Sequence, residues 1–456
     1  MVNKSKITIL ILLFVTVAGC FALTIDDLNS SMLSNNLAIK KAKEEINKAS
    51  LDISDAKSGY APTIDLTVTG SYIANPIDPI RVNLADYIST PVAGLTNDYV
   101  TVYQGQENMY YQFSLSMTQP IYTWGKLDNA VRIYQKVYDV KVLQLQDIIE
   151  QNQTELRTRV AAVYYLNEIK SLLEQQTSIT QRLVELAEEA SSNGMMLATE
   201  ALGVKVQARQ IDVALSKIEQ QLQLMQTALR NLTGIKDLSI EDLEFNEESF
   251  DYEVESLISI DFDSLSAKVL SDNRTNFKLL AELGSISSLT KDIANASVNW
   301  KPDFALVVNA DYSGSRLPLL ETDWYGKADW SATITVALKT TIFDGGKALR
   351  NVQKASSDVK EASIDLDYAK QVVAAALDEN WTNLYVYLAQ IEYQKALKMQ
   401  LEEQYSVDKK VYDTGYGSEA DCLKTLLECN NAELEILQTK INLATAVNAL
   451  LYLEGK

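Results

Sequence analysis

The hydrophobic pattern changes period twice in each half of the chain. At about 25–58 and 263–299, apolar residues recur at three- and four-residue intervals, which predicts helices. Strict alternation of apolar and polar residues follows, which predicts strands with one apolar and one polar face. The alternation forms four runs of about ten residues, at Ile64 to Ala74, Met109 to Met117, Phe304 to Tyr312 and Trp330 to Leu338. The pattern therefore predicts two β-hairpins, at 60–123 and 301–343.

A long helical stretch follows each hairpin, at 126–192 and 347–413. Neither stretch contains a proline, and at about 1.5 Å per residue each would extend for roughly 100 Å. A glycine then interrupts the pattern, and a helix of about half that length completes each copy, at 199–233 and 419–454. The predicted tips, where the chain reverses between the long and the short helix, are Asn193, Gly194, Met195, Thr414, Gly415 and Tyr416.

The two halves are copies of one another. An offset of 221 residues aligns three glycines of the first half with three of the second without a gap, which predicts an internal duplication. The aligned pairs are Gly125 with Gly346, Gly194 with Gly415, and Gly234 with Gly455. The predicted domains are a first repeat at 23–234, an acidic linker at 235–261 and a second repeat at 262–456. The first copy holds 19 additional residues, which we place in an exposed loop, rather than a strand, at about 75–108.

The N-terminus has the pattern of an export signal, which we assign to residues 1–22. Two lysines precede an apolar run at 7–18, about half the length of a membrane-spanning helix. Cleavage after Ala22 fits the spacing of small residues at the end of the run. A lipobox ending at Cys20 is the alternative, in which Cys20 would become the lipid-modified first residue.

Composition excludes several classes of function. A formal net charge of −20 argues against nucleic-acid binding, because no basic surface would neutralise phosphates. The chain contains no histidine, so histidine-dependent catalysis and histidine-ligated metals are excluded. Its three cysteines cannot form a disulfide framework. We therefore predict neither an enzyme nor a bound cofactor or metal.

Two local patterns have an ordinary structural interpretation. The acidic linker lacks the glycine and the spacing of a calcium-binding loop, so a solvated acidic linker packed near the middle of the helices is predicted. A glycine-lysine run near 345 invites comparison with a phosphate-binding loop, but it lacks the required spacing. Gly125, Gly345 and Gly346 are instead predicted to make the turns from strand to helix.

The alternating segments favour strands that face lipid over strands buried in a soluble core. Their length matches a tilted membrane strand, and their polar faces suit a wet lumen. Aromatic residues cluster near the hairpin ends, where a membrane interface would lie. The tryptophans of this group are Trp124, Trp300, Trp324 and Trp330. Four strands cannot close a barrel, and open edges cannot lie in lipid, so the chain must oligomerise.

The chain resembles the TolC family of outer-membrane efflux proteins over essentially all of its mature length. The residues that carry the resemblance are Leu23–Leu28, Gly59–Pro62, Gln119–Tyr122, Trp124–Lys126, Thr341–Lys347 and the tip sequences around Gly194 and Gly415. The resemblance implies an α+β fold that is mostly α, with four strands per chain in a homotrimeric twelve-stranded transmembrane β-barrel. Long antiparallel helices would continue the barrel as a periplasmic α-barrel tunnel.

The resemblance also implies function and partners. The protein would be the passive exit duct of a tripartite efflux pump, including multidrug efflux, or of a type I secretion system. Its partners would be a periplasmic adaptor (membrane fusion) protein, an inner-membrane transporter of the RND, ABC or MFS type, and outer-membrane lipid. The tips would dock the adaptor.

The resemblance assigns three residues to the periplasmic aperture. Glu200 and Asp421 match family acids near the two tips, whereas Lys424 stands where the family has a second acid. Gly417 stands where the family has a basic residue that helps to close the entrance. The resemblance therefore implies a modest cation preference and a different closing contact. As an alternative, both acids would be ordinary helix-start residues favoured by the helix dipole.

Two other functions are weighed against the duct. One is a periplasmic coiled-coil adaptor or scaffold, which would have one helical hairpin between β-rich halves. The other is a surface lipoprotein without a pore. Neither explains four alternating strands of membrane-spanning length.

Overall fold

The structure is a computed structural model that describes residues 23–84, 99–271, 273–298, 300–320 and 329–455. The predicted signal peptide with Cys20, the middle of the predicted exposed loop, and Trp324 lie outside these residues. The chain divides into two compact units. Unit 1 is formed by the described residues within Met1–Glu45, Lys141–Leu280 and Asp365–Lys456, and unit 2 by the described residues within Ile46–Val140 and Ala281–Ile364.

Helices account for most of the described residues. They are α1 (Ile25–Asn35), α2 (Leu37–Ser58), α3 (Lys126–Ser192), α4 (Ala198–Thr233), α5 (Glu247–Ile258), α6 (Phe262–Val269), α7 (Thr275–Ala296), α8 (Lys347–Asp413) and α9 (Glu419–Glu454). The two long helices have 67 residues each and the two helices after the tips have 36 each. The described helices include none that is both long and apolar enough to cross a membrane.

The first helical stretch is two helices rather than one. The break falls at Asn36, whose side-chain oxygen accepts hydrogen bonds from the N–H groups of Ala38 and Ile39, at 2.8 and 3.2 Å. The same side chain donates to the carbonyl of Leu232 at 2.9 Å. Asn36 therefore caps α2 and ties the break to the end of α4.

The acidic linker is also more ordered than predicted. It contains a 3₁₀ turn at Ile240–Asp242 and the helix α5, which buries Phe250, Val254 and Leu257. The sequence pattern predicted an acidic linker packed near the helices but not that it would form a helix of its own, whose apolar residues recur at three- and four-residue intervals.

The strands are β1 (Thr63–Tyr72), β2 (Ile80–Asn83), β3 (Tyr99–Tyr103), β4 (Met109–Tyr122), β5 (Asp303–Gly314) and β6 (Trp330–Lys339). Four of them form an antiparallel sheet in the order β1-β4-β5-β6. β2 and β3 pair separately, so the loop predicted to lack strands holds a short hairpin. Its alternating Tyr-Val-Thr-Val-Tyr segment is the strand pattern that the glycines and prolines of the loop obscured.

The register of the four-stranded sheet places like residues side by side. One row across the sheet is apolar: Leu66, Leu115, Ala310 and Ala332. The adjacent row, on the other face, is polar: Thr67, Ser114, Asp311 and Ser331. Both faces are largely accessible in the single chain, and every residue of β1 is exposed. The sheet therefore separates an apolar face from a polar face and buries neither face fully within the chain.

The core of unit 1 is built around α9. Fifteen residues of this helix are buried. Seven of them belong to a cluster with residues of α3, α8 and the linker helices, and Leu437 belongs to a second cluster with α1, α3 and α4. At the centre, Glu247 accepts a 2.6 Å hydrogen bond from Lys440 of α9 and a 3.4 Å bond from the buried hydroxyl of Tyr165. Burial, with the nearby Glu247 carboxylate, raises the pKa of Tyr165. The linker is thus tied to both α3 and α9.

Candidate functional site

The first tip follows the end of α3. Gly194 has a φ of 73°, in the left-handed region that glycine adopts without a steric penalty. The N–H groups of Met195 and Met196 donate to the carbonyl of Ala190, at 2.8 and 3.2 Å, and satisfy the helix end. The Met195 side chain is 83% exposed, so this tip presents an apolar side chain to its surroundings.

The second tip follows the end of α8 and repeats this geometry. Gly415 has a φ of 81°, and the N–H groups of Tyr416 and Gly417 both donate to the carbonyl of Val411 at 3.1 Å. Ser418 then caps α9 by accepting the N–H of Ala420 at 3.2 Å. Tyr416 is 91% exposed. The two copies therefore end in glycine turns that each carry one large exposed side chain.

The absence of a basic side chain at Gly417 has a steric cause. A Cβ added at this position would lie 2.8 Å from the backbone nitrogen of Tyr412 and 3.1 Å from its Cα. These atoms belong to the last turn of α8 and cannot move as a side chain would. The compact second tip therefore requires glycine here.

Glu200 lies in the first turn of α4 and has a local structural partner. Its carboxylate accepts the N–H of Leu197 at 3.2 Å, which is one arm of a capping box. Leu197 has no side-chain acceptor and cannot supply the other arm. Glu200 thus supports the helix start, and its exposed charge lies within one turn of the first tip.

Asp421 and Lys424 form an ion pair in the first turns of α9. Lys424 Nζ lies 3.4 Å from Asp421 Oδ1, and both side chains are more than half exposed. The pair offsets part of the negative charge of the second tip. Of the three candidate aperture residues, Asp421 and Lys424 are thus in contact with each other, whereas Glu200 lies in α4, after the first tip.

A stronger contact near the second tip was missed by sequence reasoning. Arg182 of α3 binds Glu419, the first residue of α9, in a bidentate pair with Nε–Oε1 and Nη2–Oε2 distances of 2.8 and 3.0 Å. The Arg182 guanidinium holds the pKa of the Glu419 carboxyl below its usual value. Because 237 positions separate these residues, no local spacing indicated the pair.

Two side-chain contacts join the first half of α9 to the second half of α8. Thr425 donates to the carboxylate of Asp408 at 2.7 Å, and Lys398 pairs with Glu433 at 2.5 Å. Hydrogen bonding to Glu433 raises the pKa of Lys398. The start of α9 is therefore held by α3 on one side and by α8 on the other.

The strand-to-helix turns have the predicted left-handed glycines. The φ angles are 80° at Gly125, 66° at Gly345 and 79° at Gly346. The Asp344 carboxylate accepts the N–H groups of Gly346, Lys347 and Ala348 at 2.9, 2.9 and 2.7 Å. These bonds lower the pKa of Asp344 and occupy the donors that a phosphate would need. The turn is a helix cap.

Contacts between the two copies occur beside these turns. Lys126, the first residue of α3, binds Asp303, the first residue of β5, at 2.9 Å. Trp124 donates its indole N–H to the carbonyl of Pro302 at 2.9 Å and has a φ of 56°, which is unusual for a residue other than glycine. The first long helix is thus joined to the first strand of the second copy.

The chain is duplicated, and each copy has an amphipathic antiparallel strand pair followed by a very long helix that ends in a glycine turn. This combination is typical of outer-membrane channel subunits. A sequence model of the outer membrane efflux protein family matches residues 28–235 and 274–456. The chain belongs to this family.

Solved structures show the same fold at low sequence identity. VceC, an outer membrane protein of Vibrio cholerae, is 15% identical with a TM-score of 0.69, over 94% of this chain and 96% of that chain. The Campylobacter jejuni CmeC outer membrane channel is 15% identical with a TM-score of 0.70, over 94% and 85%. The open state of the Neisseria gonorrhoeae MtrE channel is 13% identical with a TM-score of 0.64, over 94% and 88%. A search of curated proteins gives no match.

Family membership sets the location and the general function. The protein is an outer-membrane exit duct of efflux pumps with a periplasmic helical tunnel. Its homologues are passive channels and not enzymes. The alternatives of a periplasmic adaptor or a poreless lipoprotein are not favoured, because the family match covers both repeats.

Proposed function

We propose that three copies of this chain assemble into one duct, each contributing a first repeat at 23–234 and a second at 262–456. The open sheet carries the proposal. Its edge strands β1 and β6 each have one side without a partner among the described strands. Their apolar residues Ile64, Leu66, Ile334 and Val336 are between 63% and 77% exposed. Pairing β1 of one copy with β6 of the next closes a twelve-stranded barrel and removes the edges that lipid excludes.

The tips form the periplasmic mouth in this proposal. Met195 and Tyr416 offer exposed apolar surface to a periplasmic adaptor protein, with Asn193, Gly194, Thr414 and Gly415 shaping the turns. Glu200, Asp421 and Lys424 line the aperture between the tips. The adaptor connects the duct to an inner-membrane transporter of the RND, ABC or MFS type. An acidic excess of one charge per chain gives the mouth a modest preference for cations.

Inter-subunit cross-linking tests the assembly. Cysteine at Leu66 of β1 is combined with cysteine at Ile334, Val336 or Leu338 of β6, which scans the unknown register between copies. At least one pair should give oxidation-dependent dimers and trimers in detergent, with a native mass of three chains. The buried Cys422 and Cys429 are not expected to interfere.

The matched control is a pair whose register within one chain is known. Cysteines at Leu115 and Ala310, which are direct neighbours on β4 and β5, should cross-link without increasing the chain mass. A single-chain native mass in a lipid-inserted preparation, together with no intermolecular β1–β6 product, would contradict the proposal.

A further inference from the structure

A polar cavity opens between the start of α1, the middle of α3, the linker helix α5 and the end of α9. Its main chamber has a volume of about 330 Å³, and a side chamber of about 80 Å³ shares Ile25, Asp26, Arg157 and Asn448 with it. This volume lies at the lower end of the range for small-molecule sites. All of the lining residues belong to unit 1.

Asn448 is the first sign that the cavity is a binding site. It is 95% buried, with a relative exposure of 5%, and lines both chambers. Within the described residues its side-chain amide has no hydrogen-bond partner. The amide is not among the fully enclosed unpaired polar atoms of the described residues, so it contacts the solvent of the cavity, and a polar group of a ligand can replace that solvent. The cavity is where that group would lie.

Arg157 is the second sign. This residue lines both chambers, and the distance from its Nη1 to Glu253 Oε1 is 3.8 Å, which exceeds a hydrogen bond. In the described part of the chain it donates no side-chain hydrogen bond. By contrast, Arg159, two residues along α3, binds Glu155 at 2.6 Å and contacts Met225. Arg157 therefore presents free donors in a fork that matches a carboxylate.

The rest of the lining suits a positively charged group that lies next to an apolar one. Three acidic residues, Asp26, Glu244 and Glu253, line the main chamber, together with Phe245 and the buried Phe250, which supply apolar surface. A ligand that carries only an anion would meet these acids, and one that carries only a cation would leave Arg157 and Asn448 without partners.

We propose that this cavity binds a small zwitterion of dipeptide size. The carboxylate of the ligand pairs with Arg157 and Asn448, its ammonium faces the three acidic residues of the lining, and its side chain packs on Phe245 and Phe250. The occupant joins the linker to α3 and α9. No tip or aperture residue lines the cavity, so the proposal does not depend on the assignment of those residues.

Calorimetry on the purified full-length protein in detergent tests the site, with glycyl-phenylalanine as the probe. A dissociation constant on the order of 1 mM is expected for a ligand of this size. N-acetyl-glycyl-phenylalanine lacks the ammonium and glycyl-phenylalanine amide lacks the carboxylate. Each should bind at least tenfold more weakly than the zwitterion.

Arg157→Gln and Asn448→Leu should each weaken binding at least tenfold, and two variants on different helices guard against a folding defect in one. Arg159→Gln is the matched control, since it removes the same charge from the same helix outside the cavity. The proposal would be overturned by equal affinity for all three probes or by no binding to the folded wild type at 10 mM. It would also be overturned by unchanged binding in both site variants or by an equal loss of binding in Arg159→Gln.

Discussion

The ion pair at the second tip gives a graded test of the aperture. An exposed pair three residues apart on a helix is worth about 0.2–0.5 kcal/mol, which is at most about a twofold preference for the paired state. Removing Lys424 should therefore leave stability nearly unchanged. Its effect should appear in the charge at the mouth.

Formal charge sets the order of the variants. Glu200, Asp421 and Lys424 sum to −1 per chain, and Lys424→Gln changes this to −2. Asp421→Asn gives 0, and adding Glu200→Gln to it gives +1. The side chain introduced by Glu200→Gln keeps an acceptor for the N–H of Leu197, so the hydrogen bond at the start of α4 can still form. In a trimer each step changes the mouth by three charges.

The size of each step follows from Coulomb's law. Three unit charges about 10 Å from a permeating ion, in water with 0.1 M salt, change its energy by about 0.5 kcal/mol. This corresponds to about a twofold change in the local concentration of a monovalent cation. Cation preference should therefore decrease in the order Lys424→Gln, wild type, Asp421→Asn, and then the double variant, which should favour anions.

Reversal potentials in planar bilayers under a KCl gradient measure this order. Lys217→Gln is the control, because it removes one positive charge from α4 at a position 23 residues beyond Gly194. It should leave the potential unchanged. A control shift as large as that of Lys424→Gln, or a series without the stated order, would refute the assignment of these three side chains to the aperture.

Three further predictions concern the tips and the core. Gly417→Ala should lower the free energy of chemical unfolding by about 1–3 kcal/mol, because the added Cβ would meet backbone atoms. Gly203→Ala, at a position in α4 with open space around it, should raise that free energy by about 0.5–1 kcal/mol. Equal effects of the two substitutions would contradict the steric argument. The lowered pKa of Glu419 means that its pair with Arg182 stabilises the start of α9 above pH 4.5 and is lost as the pH falls through the lower folded-state value. Hydrogen exchange of that turn, corrected for intrinsic rates, should therefore accelerate in acid in the wild type and show no such step in Arg182→Gln. Leu257→Ala, at a fully buried linker position, should cost about 2–5 kcal/mol in the same unfolding assay, and a loss below about 1 kcal/mol would show that the linker is not part of the core.

The fold class was predictable because the strongest signals are local. The absence of proline over 67 residues and the glycines at both tips mark the long helices, and period-two alternation marks the four main strands. Local signals also explain what was missed. Asn36 divides one helical stretch because its side chain caps the next helix and binds Leu232, a contact that spans 196 positions.

The candidate site was less predictable for the same reason. The turn geometry at Gly194 and Gly415 follows from residue type, but the bidentate pair of Arg182 and Glu419 exists only after distant helices meet. The steric need for glycine at 417 likewise depends on how tightly the chain folds back on α8. Both features depend on contacts between parts of the chain that are distant in sequence or on how tightly a turn folds back.

The two short helices have unequal burial despite their common origin. α9 buries fifteen residues along its whole length, from Cys422 to Leu453. α4 buries only Leu222 and three residues after it, so its first 24 residues bury none. Substitutions in α9 are therefore constrained by the interior of the chain itself, whereas α4 is free to vary with whatever it meets outside. Within the chain, one copy of the helix therefore contributes to the interior of the subunit, whereas the other offers most of its length as surface for contacts with other molecules.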